Sequence, residues 1–334
     1  MGDRVIGASQ ALGCCRVWSL DCSEGWAGVF LLLYFLDQPG QGSLMVDVAD
    51  STSTAGHNYV LGHTQGELRR LAIQAALIDP ITRRFVREGG ITEGMRVLDI
   101  GSGGGHVAFL VADLVGSAGH VVGVDQSPTA VAAATADAQA RSLGNVEFRA
   151  GNPAEMVFDR PFDAVVGRFV LQFQADPVSM LKNVARHVRP GGPVVFHELA
   201  WSGIWSFPPT PLHDRCCAWA MEAIRRSGTE TLMGLKLYST FVAAGLPEPT
   251  MRMEAVIAAG AQAWPMLEQV AGLVESLVPA MERFGVATVE EIGSESLLER
   301  LLDEARSAES VIFGRLQVGC WSRAGALAGG SPDR

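Results

Sequence analysis

Five short runs rich in β-branched residues, 96–100, 120–124, 145–149, 163–167 and 193–197, alternate with helical patterns near 104–115, 128–142 and 176–188. Such alternation with short connections specifies a parallel sheet with helices on both faces, because each crossover must carry the chain back to the same edge. The predicted class is therefore α/β and doubly wound. Arg189-Pro190-Gly191-Gly192 supplies the turn before the fifth strand. Apolar residues make up 48% and charged residues 19% of the 334 positions, enough for a sizeable core.

The first strand stops in Asp99-Ile100-Gly101-Ser102-Gly103-Gly104-Gly105-His106 and gives way to the helical run Val107–Ala112. A strand that ends in glycines and enters a helix brings backbone N–H groups and a helix N-terminus against a ligand. His106 occupies the place of the third glycine in the dinucleotide pattern G-x-G-x-x-G. The second strand ends in Asp125, 24 residues past Gly101, where an acid suits the two hydroxyls of a ribose. Ser127 is the N-cap candidate for the helix that follows.

The D-x-G-x-G form, paired with Asp125, resembles the opening motifs of class I S-adenosylmethionine (SAM) dependent methyltransferases of the small-molecule type. The resemblance is strong over about residues 95–200 and rests on architecture beyond them. It implies a Rossmann-like, doubly wound, seven-stranded sheet with helical insertions forming a substrate cap, and SAM as cofactor. Asp99, Gly101, Ser102 and Gly103 would then approach the methionine part of SAM, and Asp125 with Gln126 the ribose. Asn152 and Pro153 stand where the family commonly has Asp and Ala. The amide carbonyl of Asn152 still accepts a hydrogen bond from the adenine amine. Arg168, with Phe169 and Gln172, lies where the fourth strand should meet cofactor or substrate.

Methyl transfer from a sulfonium proceeds by direct SN2 attack on an O, N or C atom, and orientation supplies much of the acceleration. An acceptor that must lose a proton also calls for a base, and histidine suits neutral pH. His197, at the end of the fifth strand, and Tyr59 and His63, before the first helix, are the catalytic candidates. His106, His120, His187 and His213 read as structural. Trp201, Trp205, Phe207, Trp219, Met221, Met233 and Tyr238 give the region after strand five an aromatic character, which favours a hydrophobic, aromatic small molecule of secondary metabolism.

Four units follow from these patterns: an atypical extension at 1–44, a helical lid at 45–94, a SAM-binding core at 95–260 and 308–325, and cap insertions at 200–232 and 261–307. Trp26–Leu36 is an apolar run of 11 residues, shorter than the roughly 20 needed to span a bilayer as a helix. It reads either as a peripheral segment or as sequence upstream of a start near Met45. Asp79-Pro80 reads as the opening of a second short helix, and 250–258 and 311–322 each read as one strand. A net charge of −10 with no Lys/Arg run argues against a nucleic-acid partner. Six cysteines without a C-x-x-C pair suggest reduced thiols, no metal and a cytoplasmic location, with no membrane partner. The apolar helices leave a homodimer interface open beside a substrate cover. Two other functions stay open: a nicotinamide-dependent oxidoreductase, and a SAM-binding protein that transfers no methyl group.

Overall fold

The computed structural model describes residues 65–325. The expectations for 1–44, for Tyr59 and for His63 lie outside them. Helix α1 (Gln65–Glu88) leads into β1 (Arg96–Ile100), α2 (His106–Val115), β2 (His120–Asp125), α3 (Pro128–Ala140) and β3 (Val146–Ala150). Then come β4 (Ala164–Arg168), α4 (Pro177–Ala185), β5 (Pro193–Ala200) and the short β6 (Ser206–Phe207). Helices α5 (Pro211–Arg226) and α6 (Met233–Ala243) precede β7 (Thr250–Glu254) and β8 (Ile257–Ala259). Helices α7 (Trp264–Arg283), α8 (Val289–Ile292) and α9 (Leu297–Ser307) then lead to β9 (Val311–Phe313) and β10 (Leu316–Arg323).

Seven strands form one sheet in the order β3-β2-β1-β4-β5-β10-β7. The five strands expected from the sequence are parallel, while β10 runs antiparallel to both β5 and β7. Order reverses between β1 and β4, the switch point where such sheets open a crevice at their carboxyl ends. One face carries a core that joins Val86 of α1, most of α2 and Ala138 of α3 to Val97, Val121 and Val195. The other face joins α4 and α6 to Leu98, Val122, Val165 and Phe196. Successive strand residues fall on opposite faces, as the period of two requires. A third cluster holds α5, α7, α8 and α9 together with Ile312 of β9.

Three expectations change. Helix α1 runs unbroken through Pro80 instead of restarting there. A mid-helix proline costs about 3 kcal/mol, but Ile81, Phe85 and Val86 beyond it are buried on the same face as Ala75 and Ile78. Each contributes about 1.5–3 kcal/mol, so packing wins. The last two expected strands are each broken, at Ala255-Val256 and at Gly314-Arg315, and the breaks are joined by a hydrogen bond from Gly314 N–H to Val256 O (2.8 Å). On the far side of the breaks β8 and β9 pair with each other, and β9 with β6, in a separate three-stranded sheet. At Gly319 of β10 the Phe85 ring lies so close that a Cβ would meet it at 2.5 Å, which seats α1 directly on the sheet.

Candidate active site

The turn after β1 is shaped by left-handed glycines: φ is 61° at Gly101, 49° at Gly103 and 86° at Gly105. A Cβ at Gly101 would strike Val170 and one at Gly105 would strike Phe109 and Phe148, whereas at Gly103 it would meet nothing within 4 Å. The loop is packed behind and open in front. Asp125 faces it from β2: its Oδ2 accepts from Gly103 N–H and its Oδ1 from Ser127 N–H, both at 2.8 Å. Ser127 caps α3 through Ala130 N–H (3.3 Å), as expected.

Asp99 and Ser102 are buried in this turn, and Asp99 Oδ2 and Ser102 Oγ have no hydrogen-bond partner. Burial pushes the Asp99 carboxyl up to about 8; the Asp125 charge adds to this, while Arg168 and the Ala108 amide oppose it. Orphaned buried polar atoms are costly. An open glycine loop, two orphaned oxygens and the Asp125 carboxylate across the loop therefore fit a ligand with a cationic or hydrogen-bond-donating end and a hydroxyl-bearing portion such as a ribose. Gln126 is exposed beside Asp125. Asn152 Oδ1 accepts from Ala154 N–H (3.1 Å) and its Nδ2 donates to Glu155 (2.8 Å), so the side chain fixes its own turn. Pro153 is buried there, and its carbonyl lies 2.9 Å from His187 Nε2.

Arg168, at the end of β4, is turned toward α1. Its Nη1 donates to Asp79 Oδ1 (2.7 Å) and Thr82 Oγ1 (3.0 Å). Thr82 Oγ1 lies 3.1 Å from His197 Nδ1, and His197 Nε2 lies 2.9 Å from Gln317 Oε1. Gln317 Nε2 donates to Arg315 O (3.0 Å), which fixes the amide with its oxygen toward the imidazole. His197 Nε2 therefore carries the proton, and both ring nitrogens are engaged. Burial, aided by the Arg168 charge, pushes His197 down to about 3. The rings of Phe85 and Phe169 pack edge-on at 4.9 and 5.1 Å. His197 is buried, with both ring nitrogens hydrogen-bonded and two aromatic rings against it.

A cavity of about 50 Å³ opens beyond the ends of β4 and β5, between α1, α5 and α7. Phe169, Leu199, Trp201, Trp205, Met266 and Phe313 give it apolar walls, and Gln317 links it to the His197 chain. Phe169 adopts φ 58°, a left-handed conformation that turns it out of β4 into this wall. Of the aromatic and methionine residues singled out in the sequence, Trp201 and Trp205 line the cavity. Phe207 and Tyr238 are exposed, Met233 is buried against the opposite sheet face, and Trp219 and Met221 pack among the helices.

The histidine on the cavity wall is His213, which sequence reasoning set aside. It sits in the first turn of α5, whose Leu212 and His213 amides donate to Glu304 of α9 (3.0 and 3.2 Å). Its Nδ1 is 3.4 Å from Asp214 Oδ1, and its Nε2 is 3.7 Å from Cys217 Sγ. The signal available in the sequence was His213-Asp214 at the start of a helix, followed four residues later by Cys217. No group of side chains suited to a metal ion occurs among the described residues.

Residues 91–227 match a family described as a methyltransferase domain. The chain is 35% identical over 117 residues to an arsenite methyltransferase of Aquipseudomonas alcaligenes, covering 33% of this chain and 34% of that protein. It is 34% identical over 147 residues to nocamycin O-methyltransferase of Saccharothrix syringae, covering 44% and 49%. With aklanonic acid methyltransferase DauC of a Streptomyces species it shares 35% over 138 residues, covering 40% and 63%. The chain thus spans between a third and just under two thirds of the length of these relatives. Over residues 91–227 the chain thus matches a methyltransferase domain, and its glycine turn and strand order are those expected of the class I SAM-dependent type.

Proposed function

We propose that this chain transfers a methyl group from SAM to a hydrophobic, aromatic small molecule of the secondary-metabolite type. The observation that carries the reading is the pairing of an orphan-lined glycine cradle with an apolar, aromatic-walled cavity at the same end of the sheet. SAM, when bound, supplies a methyl carbon made electrophilic by its sulfonium. The chain's own residues bind and orient. Asp125 holds the ribose hydroxyls while keeping the Gly103 loop in place, and Asp99 with Ser102 takes the amino-acid end. The Asn152 turn borders the adenine.

Arg168 is committed to Asp79 and Thr82, so its role is to hold α1 over the cleft and to set the field around Asp99. Phe169, Trp201 and Trp205 exclude water from the cavity, which has room for the reacting edge of a ring. Holding that edge in line with the methyl group is worth effective concentrations on the order of 10⁵–10⁸ M. The helical layer formed by α5, α7, α8 and α9 acts as the substrate cap. The relatives named for nocamycin and aklanonic acid support the secondary-metabolite class. A cytoplasmic location accords with the reading, and no described helix is long and apolar enough to cross a membrane.

The test is incubation with methyl-labelled SAM and cell extract, with label counted separately in small-molecule, protein and nucleic-acid fractions. Label in small molecules is the expected result. Label in a macromolecular fraction overturns the substrate class, and no label together with no SAM binding by calorimetry overturns the reaction.

A further inference from the structure

We propose that His213, oriented by Asp214, is the catalytic base that takes the proton from a phenolic or enolic hydroxyl seated in the cavity. This rests on the methyltransferase reading above and narrows its acceptor to an acidic O–H.

Among the described residues lining the cavity, His213 is the one neutral base. The polar wall is otherwise Gln74, Gln269, Gln317, Arg315 and Cys217. Amide side chains are not basic, a guanidinium is already protonated, and burial pushes the Cys217 thiol up to about 12. Asp214 settles the tautomer. Its Oδ1 accepts from Ser206 Oγ–H (2.7 Å), and Ser206 Oγ accepts from Thr210 N–H (2.8 Å), so the carboxylate is fixed from behind. The His213 Nδ1 beside it is the protonated nitrogen, and Nε2 keeps its lone pair. The neighbour of Nε2 is the Cys217 sulfur at 3.7 Å, a weak partner that a ligand hydroxyl can displace.

Glu304 fixes the backbone of the first turn of α5 through the Leu212 and His213 amides, and Asp214 and Cys217 hold the ring itself. The charged and titratable groups facing it are Asp214 and Cys217 from α5, Glu304 from α9 and Arg315 from the segment before β10. Burial dominates, so His213 is lowered and neutral near pH 7, with Arg315 in the same direction and Asp214 and Glu304 opposing. In the proposed step the acceptor O–H bond breaks, its proton moves to Nε2, and the electron pair stays on oxygen as the nucleophile. The cavity walls are uncharged apart from Arg315, which stabilises the oxyanion so formed. A positioned base of this kind is worth about 10²–10⁴ in rate.

The test uses the full chain and 4-nitrophenol, a one-ring acidic hydroxyl whose ionised form is coloured. At one pH unit below the probe's own pKa, the wild type should bind it saturably as the phenolate. His213→Asn should bind it only as the neutral phenol. Asp214→Asn, whose side chain is about a third exposed and so is easily accommodated, should shift bound-probe ionisation about tenfold toward the phenol. SAM calorimetry on the same proteins should give equal affinity in all three. Failure of wild type to bind or ionise the probe overturns the proposal, as does equal ionisation in His213→Asn or, should that variant not fold, in Asp214→Asn. Loss of SAM binding in wild type overturns the methyltransferase reading instead, and the two failures are read separately.

Discussion

Cofactor binding should release a proton from Asp99. Its carboxyl is buried in the β1 turn with one oxygen unpartnered and is raised to about 8. With that value about nine in ten molecules carry the proton at pH 7. A cationic amino group placed against Oδ2 removes the reason for protonation, since an opposite charge within reach favours the carboxylate. Release of most of one proton per SAM bound is therefore expected at pH 7, and affinity should rise with pH until it levels off above about pH 8. Isothermal calorimetry in two buffers of different ionisation enthalpy measures the release directly as the difference in apparent heat. In Asp99→Asn the heat should be independent of buffer and the affinity weaker.

The same group acts on stability with a sign that can be checked. A carboxyl whose folded value is raised binds more protons in the native than in the unfolded state between about pH 4 and pH 8. Stability is then highest at the acid end of that window and is lost as the pH rises through it, by an amount on the order of a few kcal/mol. Asp99→Asn should remove that slope and melt higher than wild type at pH 8 in the absence of ligand. Glu198 is raised to about 8 as well, but it is present in both proteins and cancels in the difference. Buffer-independent heat in wild type, or an unchanged slope in Asp99→Asn, would refute the assignment of this oxygen to the ligand.

Two further outcomes follow from the hydrogen bonds. Asp125→Ala removes a charged acceptor for two ribose hydroxyls at about 1.5–3 kcal/mol each, so SAM affinity should fall at least a hundredfold by calorimetry. It should also melt lower, because Gly103 N–H and Ser127 N–H lose their acceptor; unchanged affinity would displace the ribose site. His197 is lowered to about 3, so its neutral form contributes stability that is present above about pH 6.5 and is lost as pH falls toward 3. Denaturant melts should show the stability advantage of wild type over His197→Gln shrinking between pH 7 and pH 4.5; Asp99 and Glu198, which act in the opposite direction, are present in both proteins and cancel in that difference.

The sheet was legible because its signals are local. Each of the first five strands is a short apolar run bounded by turn residues, and glycines at Gly101 and Gly103 mark a backbone that only a left-handed conformation can make. Long-range packing was not legible. Pro80 reads as a break because the sequence does not show that Phe85 must reach Gly319, more than two hundred residues away in the chain. Nor does an apolar run at 311–322 reveal that Gly314 lets it serve two sheets. Asn152 shows a third limit: the residue type allows an adenine contact, but the sequence does not reveal that the side chain also holds its own turn through Ala154 N–H and Glu155.

The two histidines make the sharpest case, since position in the chain points to His197 and the cavity wall to His213. A residue at the end of a central parallel strand is near the crevice, yet its side chain still points to one face of the sheet, and β5 is buried along its whole length. His197 accordingly turns under α1, where Thr82 and Gln317 take both nitrogens. A helix laid over the crevice from an insertion has no such constraint: one of its stripes must face the gap it covers. His213 lies on that stripe together with Cys217, one turn apart. In a sheet capped by inserted helices, then, the strand end is suited to hold the cleft rigid and the cap to meet the acceptor. Exchanging the roles would require His197 to break two buried hydrogen bonds, each leaving an unsatisfied partner at about 1–3 kcal/mol, before it could accept a proton.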